Sequence, residues 1–132
     1  VSTVRALRPA AEIAAREGIT ITFFEYSSIA DTERKVLSAD EGTHAGESET
    51  SMMLYIAPET VDMTKAVRDF HPRNGEGPLR RTEGQPGVYS KTGIWGDATK
   101  ATREKGRALV EAMVSVILTE IAALKSARPP GR

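Results

Sequence analysis

Cysteine is absent from the sequence, which excludes disulfides, cysteine-ligated zinc, iron–sulfur clusters and thiol catalysis. No run of about 18 apolar residues occurs either, so we predict no transmembrane helix. A net charge is also lacking, since 18 Lys and Arg residues balance 18 Asp and Glu residues, and this argues against a general nucleic-acid-binding protein. The N-terminal residues show no signal-peptide pattern, so we expect a cytoplasmic protein.

What the sequence does contain fits one folded domain. Its 132 residues are the length of a single domain, and a hydrophobic content of 39% is too high for a disordered chain. The first residue is Val1, and a helical pattern is already under way at Val4. We therefore expect this sequence to be a segment of something longer.

The first part of the chain alternates helical and strand-like patterns. Apolar residues at helical spacing predict a helix that stops at Gly18, with Pro9 either kinking it or marking its start. The β-branched and aromatic residues 19–26 predict a buried strand. Residues 27–45 then predict a long loop of the kind that is often functional.

The rest of the chain predicts a helix, an irregular arm and a second, longer helix. The helix over residues 46–57 presents a short apolar face formed by Met53, Leu54 and Ala57. Residues 58–97 are rich in glycine and proline and predict an arm with at most a short strand near Val88–Tyr89. The last helix covers about residues 98–126, with Asp97 or Thr99 as its N-cap.

An apolar stripe follows the last helix at helical spacing. Its members are Leu109, Met113, Val116, Ile117, Ile121 and Leu124. Helix followed by strand is half of an α/β repeat, so we predict an α/β fold. Because a single strand cannot form a sheet, further strands must come from the arm or from a part not present in this sequence.

His44, Glu47 and Glu49 are the most compact set of titratable residues. Histidine can give and take a proton near neutral pH, and a nearby carboxylate can orient the ring or bind a cation. The alternative is an ordinary helix start, whose acidic first turn is favoured by the helix dipole. The residue pattern taken alone favours this alternative, because short motifs are weakly specific.

Other residues are candidates for a binding site. Asp40 and Glu41 could hold a substrate amine or be solvated. Tyr26 ends the predicted strand, at the edge where open α/β sheets bind ligands, and is a candidate substrate wall. Trp95 is interpreted as a packing anchor or a pocket wall, and His71 as a surface-loop residue. No HxH or HxxxH spacing is present, so the chain offers no complete metal site by itself.

Two separated motifs carry a family resemblance. The first is THAGESETSMML with the Pro-Glu-x-Val-Asp segment after it, and its matching residues are His44, Gly46, Glu49, Thr50, Ser51, Pro58, Glu59, Val61 and Asp62. The second runs from Gly93 to Gly106 and reads GIWGDATKATREKG. Their order, after a helix–strand unit, resembles the C-terminal half of the creatininase (creatinine amidohydrolase) family over essentially the whole chain.

The resemblance implies a three-layer α/β/α sandwich with a mostly parallel sheet, of which this chain is the C-terminal half. It implies a centre of divalent metal ions (zinc, manganese or iron) whose ligands lie mostly in the N-terminal half. His44 is then a proton donor or acceptor, and Glu49 either binds the metal or orients the water on it. Family members often assemble as oligomers.

We therefore expect a metal-dependent hydrolase that acts on a small, cyclic amide or a related carbonyl compound. A separate or cleaved N-terminal half would complete it. Where creatininase itself carries Glu and Trp, this chain has Thr43 and Asp40, which counts against creatinine as the substrate. The alternative is a non-catalytic structural or regulatory subunit, or a truncated homologue without metals.

Overall fold

The chain divides into two compact units. The first unit joins Val1–Ser28 to Met113–Arg132, and the second unit comprises Ile29–Ala112. A computed structural model of the protein describes residues 2–38, 44–69, 79–80, 84 and 88–128. None of the helices in these ranges is long and apolar enough to cross a lipid bilayer.

Two helical segments make up most of the first unit. Helix α1 spans Ser2–Arg16 and includes Pro9, so this proline does not mark the start of the helix. Gly18 follows with a φ of 80°, a left-handed conformation that glycine adopts readily at helix ends. The other segment is the C-terminal part of α4, a helix that spans Arg103–Ser126 and enters the first unit at Met113.

The first unit leaves its apolar side chains in contact with solvent. None of its residues whose burial is described is buried. Ile13 on α1 is 59% exposed and Leu118 on α4 is 60% exposed. Much of the predicted apolar stripe shares this exposure, since Ile117, Ile121 and Leu124 are all accessible. This unit therefore has no described core of its own.

The strand predicted over residues 19–26 is not formed. Residues 19–25 lie in no helix or strand, and Tyr26 begins a 3₁₀ helix that spans Tyr26–Ile29. A strand requires a neighbour that shares its backbone hydrogen bonds. None of the strands in the described ranges pairs with residues 19–25, so high β-propensity is not sufficient here.

The second unit contains a helix where the sequence predicts a loop. Helix α2 spans Ala30–Val36, inside the predicted loop 27–45, so that prediction is wrong over these residues. Acidic residues occupy its first turn and basic residues its last, which the helix dipole favours. A charged helix of two turns shows no apolar periodicity from which it could be recognised.

The helices on either side of the arm form close to where they are predicted. Helix α3 spans Glu47–Ile56, which confirms the predicted helix over 46–57. Helix α4 begins later than predicted, because a 3₁₀ helix spans Ala98–Lys100 before it. Asp97 caps this 3₁₀ helix by accepting a hydrogen bond from the Thr99 amide at 3.1 Å. Two further 3₁₀ helices follow α3, at Pro58–Thr60 and Met63–Lys65.

Four strands of two residues each complete the described secondary structure. Strand β1 (Arg68–Asp69) pairs antiparallel with β4 (Gly96–Asp97). Strand β2 (Leu79–Arg80) pairs parallel with β3 (Val88–Tyr89), which confirms the short strand predicted there. Helices and small sheets are therefore both present. The mostly parallel sheet of a three-layer sandwich is not seen among the described residues.

The buried face of α3 is polar, contrary to the sequence prediction. Glu47 and Ser51 are fully buried, whereas Met53 from the predicted apolar face is 42% exposed. Leu109 of α4 and Ile29 are the large apolar side chains buried in the second unit. Residues four apart lie on one side of a helix, so Glu47 and Ser51 together mark the side on which α3 packs.

Helices α3 and α4 come into backbone contact at Gly106. A Cβ atom at this position would lie 1.8 Å from the Ser51 carbonyl oxygen. The Ser51 hydroxyl donates to the Glu47 carbonyl at 2.6 Å and accepts from the Thr102 amide at 3.1 Å. A residue without a side chain is therefore required where α4 crosses Ser51.

Gly106→Ala is expected to destabilise the protein, although alanine favours a helix by about 1 kcal/mol over glycine. The added methyl group must displace backbone, and overpacking of this kind costs about 1–3 kcal/mol net of relaxation. Urea unfolding followed by circular dichroism measures the change, with Ser115→Ala on the same helix as the control. Equal or greater stability of Gly106→Ala would contradict the close approach.

Candidate active site

The two sequence motifs meet at an antiparallel bridge between His44 and Trp95. The Trp95 amide donates to the His44 carbonyl at 2.8 Å, and the His44 amide donates to the Trp95 carbonyl at 3.2 Å. Both backbone polar groups of His44 are therefore paired. The bridge fixes the backbone of the histidine while its side chain stays exposed to solvent.

Two glycines allow the segments on either side of the bridge to lie close together. A Cβ atom on Gly46 would lie 3.3 Å from the Gly96 Cα and 3.6 Å from the Asp97 nitrogen. The contact with the Gly96 Cα is tighter than ordinary packing, so the Gly96 backbone would have to move by a few tenths of an ångström to accept a side chain at position 46. Gly46 is one of the residues that match the first family motif, and its lack of a side chain permits this approach.

Ala45 has an unusual backbone between the histidine and helix α3. Its φ is +49°, in the left-handed region that L-residues other than asparagine and aspartate seldom adopt. A carboxylate oxygen of Glu49 accepts the Ala45 amide, and the Thr50 hydroxyl donates to the Ala45 carbonyl at 3.3 Å. Local strain of this kind persists where surrounding hydrogen bonds hold it, and it is common at functional sites.

Glu49 thus acts as a cap of the helix that follows His44. It lies in the first turn of α3 and reaches back past the N-cap residue Gly46, much as glutamate does in a capping box. The structure brings His44 and Glu49 together through Ala45. This cap agrees with the helix-start interpretation of the motif. Both His44 and Glu49 are exposed to solvent.

A buried serine organises the turn that presents Trp95. Ser90 is fully buried, and its hydroxyl lies 2.9 Å from an Asp69 carboxylate oxygen and 2.8 Å from the Ile94 carbonyl. The Ser90 hydroxyl oxygen also accepts a hydrogen bond from the Gly93 amide at 3.0 Å. These bonds close the turn before Trp95 and attach it to β1, so they support the His44 bridge from the Trp95 side.

Asp97 lies two residues after Trp95 and stabilises the same region. It is buried, and the Thr99 hydroxyl and amide both donate to its carboxylate. The hydrogen bond from the Thr99 hydroxyl, opposed by burial and helped by Lys100 and Arg68, lowers the pKa of Asp97. The group therefore stays ionised next to Gly96 and the bridge.

Glu47 lies three residues after His44, and its carboxylate is fully buried. Lys105 of α4 donates to it at 2.5 Å, and Ser38 donates both its amide, at 3.0 Å, and its hydroxyl. Burial raises the pKa of Glu47, but the hydrogen bonds from Lys105 and Ser38 outweigh it and hold that pKa below the ordinary 4.5. The sequence shows Glu47 as part of the motif but offers no pattern that pairs it with Lys105.

The other predicted site residues belong to other parts of the chain. Tyr26 is assigned to the first unit, whereas His44 and Glu49 are assigned to the second. Asp40, Glu41 and His71 lie outside the described residues. Their proposed roles stay predictions.

The described residues do not supply a complete metal cage. No group of three or more histidine, aspartate or glutamate side chains within them is placed to hold a metal ion. Glu49, the predicted metal ligand, has one carboxylate oxygen on the Ala45 amide. A metal at this site therefore needs ligands beyond the described part of the chain.

Creatininases of known structure share the α/β fold of this chain. A Type II mutant creatininase matches with a TM-score of 0.66 and 22% identity, over 94% of this chain and 51% of that one. A structure described as creatininase Mn matches with a TM-score of 0.62 and 24% identity, again over 94% and 51%. A mutant creatininase complexed with creatine matches with a TM-score of 0.66 and 23% identity, over 94% and 52%.

The family assignment comes from the sequence model of creatinine amidohydrolase, which matches residues 2–121. The chain belongs to the creatininase family. It spans about half the length of the creatininase structures that it matches. No curated protein sequence is similar enough to be counted as a relative.

Acid should weaken the second unit through Glu47. Because its folded-state pKa lies below 4.5, its ionised form stabilises the fold above that pH, and this contribution is lost as the pH falls from 4.5 through the lower folded-state pKa. Urea unfolding midpoints are measured between pH 3 and pH 7, about the range where carboxylates titrate. As the pH falls, the midpoint of Glu47→Gln should decrease less than that of the wild type. Identical slopes for both proteins would contradict the buried pair, and the exposed Glu120→Gln serves as the control.

Proposed function

We propose that this chain forms part of the active site of a metal-dependent amidohydrolase of small, cyclic amides or related carbonyl compounds. The observation that carries the proposal is the His44 bridge, which fixes the histidine backbone against the second family motif and leaves the imidazole accessible. Membership of the creatininase family supports the reaction class.

His44 is the proton-transfer group in this proposal. Hydrolysis of an amide requires a proton on the leaving nitrogen, and an imidazole changes its protonation near neutral pH at little cost. A general acid must reach the substrate, and the exposed side chain of His44 permits that contact. The fixed backbone limits the directions in which the ring can approach, which favours a productive geometry.

Glu49 is the second residue of the proposed site. Its bond to the Ala45 amide orients the carboxylate beside His44 through a single intervening residue. We propose that the carboxylate also binds the metal or orients the attacking water. Tyr26, Asp40 and Glu41 remain the proposed substrate-side residues.

A divalent ion, zinc or manganese, is the proposed cofactor. Structures similar to this chain are described as a Zn-Zn type mutant creatininase and as creatininase Mn. No three donor side chains converge within the described residues. The remaining ligands would have to come from another polypeptide segment.

That segment is proposed to be the N-terminal half of a single three-layer domain. This chain covers only about half of each creatininase structure, although 94% of the chain itself is matched. Large apolar patches on a monomer surface usually mark an interaction site. The exposed apolar residues of the first unit, Ile13 and Leu118 among them, are the surface that such a half would cover.

A non-catalytic subunit, or a homologue without metals, is the second candidate. The lack of a three-donor group in the described ranges is the observation that favours it. Metal analysis separates the two candidates, since only the hydrolase binds zinc or manganese when its N-terminal half is present. Absence of both metal and amide hydrolysis from the complete protein would overturn the proposed function.

His44→Ala, in the protein complete with its N-terminal half, should strongly slow hydrolysis without loss of stability. Removal of a general acid–base group lowers the rate by about 100- to 10,000-fold, and the exposed imidazole makes no described tertiary contact. The rate is measured on a panel of small cyclic amides, with His71→Ala as the matched control because it removes the other histidine. Wild-type rates in His44→Ala would contradict the assigned role.

Glu49 variants distinguish a cap from a site residue. Glu49→Gln retains an oxygen for the Ala45 amide, so its stability should stay near wild type while metal content and activity fall. Glu49→Ala should lose about 1 kcal/mol of stability as well, the usual cost of a lost helix cap. Full activity and metal content in Glu49→Gln would show that Glu49 is only a cap.

Leu118→Ser should weaken association with the N-terminal half more than it destabilises the isolated chain. Leu118 is 60% exposed, so most of its apolar area is buried only in the complex, worth about 1–2 kcal/mol if it becomes fully buried. Titration calorimetry of the two halves gives the affinity, with the exposed neighbour Thr119→Ser as control. Unchanged binding by Leu118→Ser would exclude this surface.

A further inference from the structure

A buried ion pair connects helix α4 to the segment that carries His44. Glu47, the first residue of α3, is fully buried, and Lys105 donates to its carboxylate at 2.5 Å. The lysine side chain is 28% exposed and also donates to the Lys100 carbonyl at 2.9 Å. Both charged groups therefore have defined partners, as a buried pair requires.

The same carboxylate holds the chain on both sides of the histidine. Ser38 lies before His44 in the sequence and Glu47 lies after it. Ser38 donates its amide to Glu47 at 3.0 Å and donates its hydroxyl to the same oxygen. Glu47 thereby fixes the two ends of the stretch that contains His44, independently of the bridge to Trp95.

The position of this group relative to α4 is set by further contacts. Ser51 binds the Thr102 amide, and Gly106 brings the backbone of α4 against Ser51. Lys105 lies between Thr102, which directly precedes α4, and Gly106, and its amine is held by the Glu47 carboxylate and the Lys100 carbonyl. The start of α3 is consequently held against α4 by a backbone contact and a charged contact together.

We propose that Glu47 and Lys105 are positioning residues of the His44 site. Neither needs to touch the substrate, because their pair holds the first turn of α3. The strained Ala45 backbone precedes this turn with one residue between them, and His44 directly precedes Ala45. The inference rests on the proposed function for its role in catalysis, but the positioning of His44 can be measured without any substrate or metal.

Lys105→Met is the informative variant. It leaves the Glu47 carboxylate buried without its cation, so the start of α3 should loosen. Hydrogen exchange of the Ala45 amide should accelerate on the order of tenfold or more, as expected when a charge-assisted bond is lost locally. The imidazole signal of His44 in ¹H–¹⁵N NMR should shift or broaden, and His71→Ala identifies it because the chain has 2 histidines.

Three further variants test the pair itself. Lys105→Arg keeps the charge and should restore the wild-type His44 signal and Ala45 exchange. Glu47→Gln with Lys105→Met removes both charges and should recover part of the loss, which a purely steric role of Lys105 would not do. Lys125→Met, an exposed lysine near the end of the same helix, should behave as wild type.

The outcomes decide the inference. A folded Lys105→Met protein with the wild-type His44 signal and Ala45 exchange would overturn it. If Lys105→Met does not fold, the same two measurements on Glu47→Gln, which retains the side-chain shape, replace it, and unchanged values there overturn the inference equally. Perturbed His44 signals in Lys105→Met, together with no amide hydrolysis by the wild-type protein complete with its N-terminal half, would refute the proposed function and leave the positioning role intact.

Discussion

The contact between Ser51 and Gly106 is the constraint on which the second unit depends. It brings the backbones of α3 and α4 together with no side chain between them. At that separation the Ser51 hydroxyl reaches the Thr102 amide, and Lys105 reaches the buried Glu47. A wider spacing would leave a carboxylate buried without its cation, which is among the most costly defects that a protein interior can contain. The buried apolar residues described in this unit are few and include Leu109 and Ile29.

The candidate site is held mainly through its backbone. His44 is paired with Trp95 on one side, and Glu49 and Thr50 bind the two polar groups of Ala45 on the other. The imidazole contributes to none of these contacts and is left available for chemistry. If His44 has the proposed role, its backbone contributes to stability and its imidazole to reactivity, so a change of side chain at His44 removes the reactivity alone.

The sequence predicts those features that are local. The periodicity of α1, α3 and α4 and the adjacency of His44 and Glu49 are all contained in short windows. The exposed apolar residues of α4 are recognisable as a stripe, but nothing local shows that they stay uncovered here. The predicted strand over 19–26 fails because strand formation depends on a partner. The Glu47–Lys105 pair could not be predicted, since its members are 58 residues apart and no spacing rule links them.

That separation has a kinetic consequence. The bonds that join α3 to α4 close loops of 51 and 58 residues, so the chain loses entropy before either bond can form. Helix α3 can form early from local contacts, whereas the burial of Glu47 must await the arrival of α4. Contacts of high sequence separation generally slow folding, and here they include those that complete the surroundings of the histidine. On a growing polypeptide, the site would thus be assembled only after the glycine at 106 has been synthesised and released.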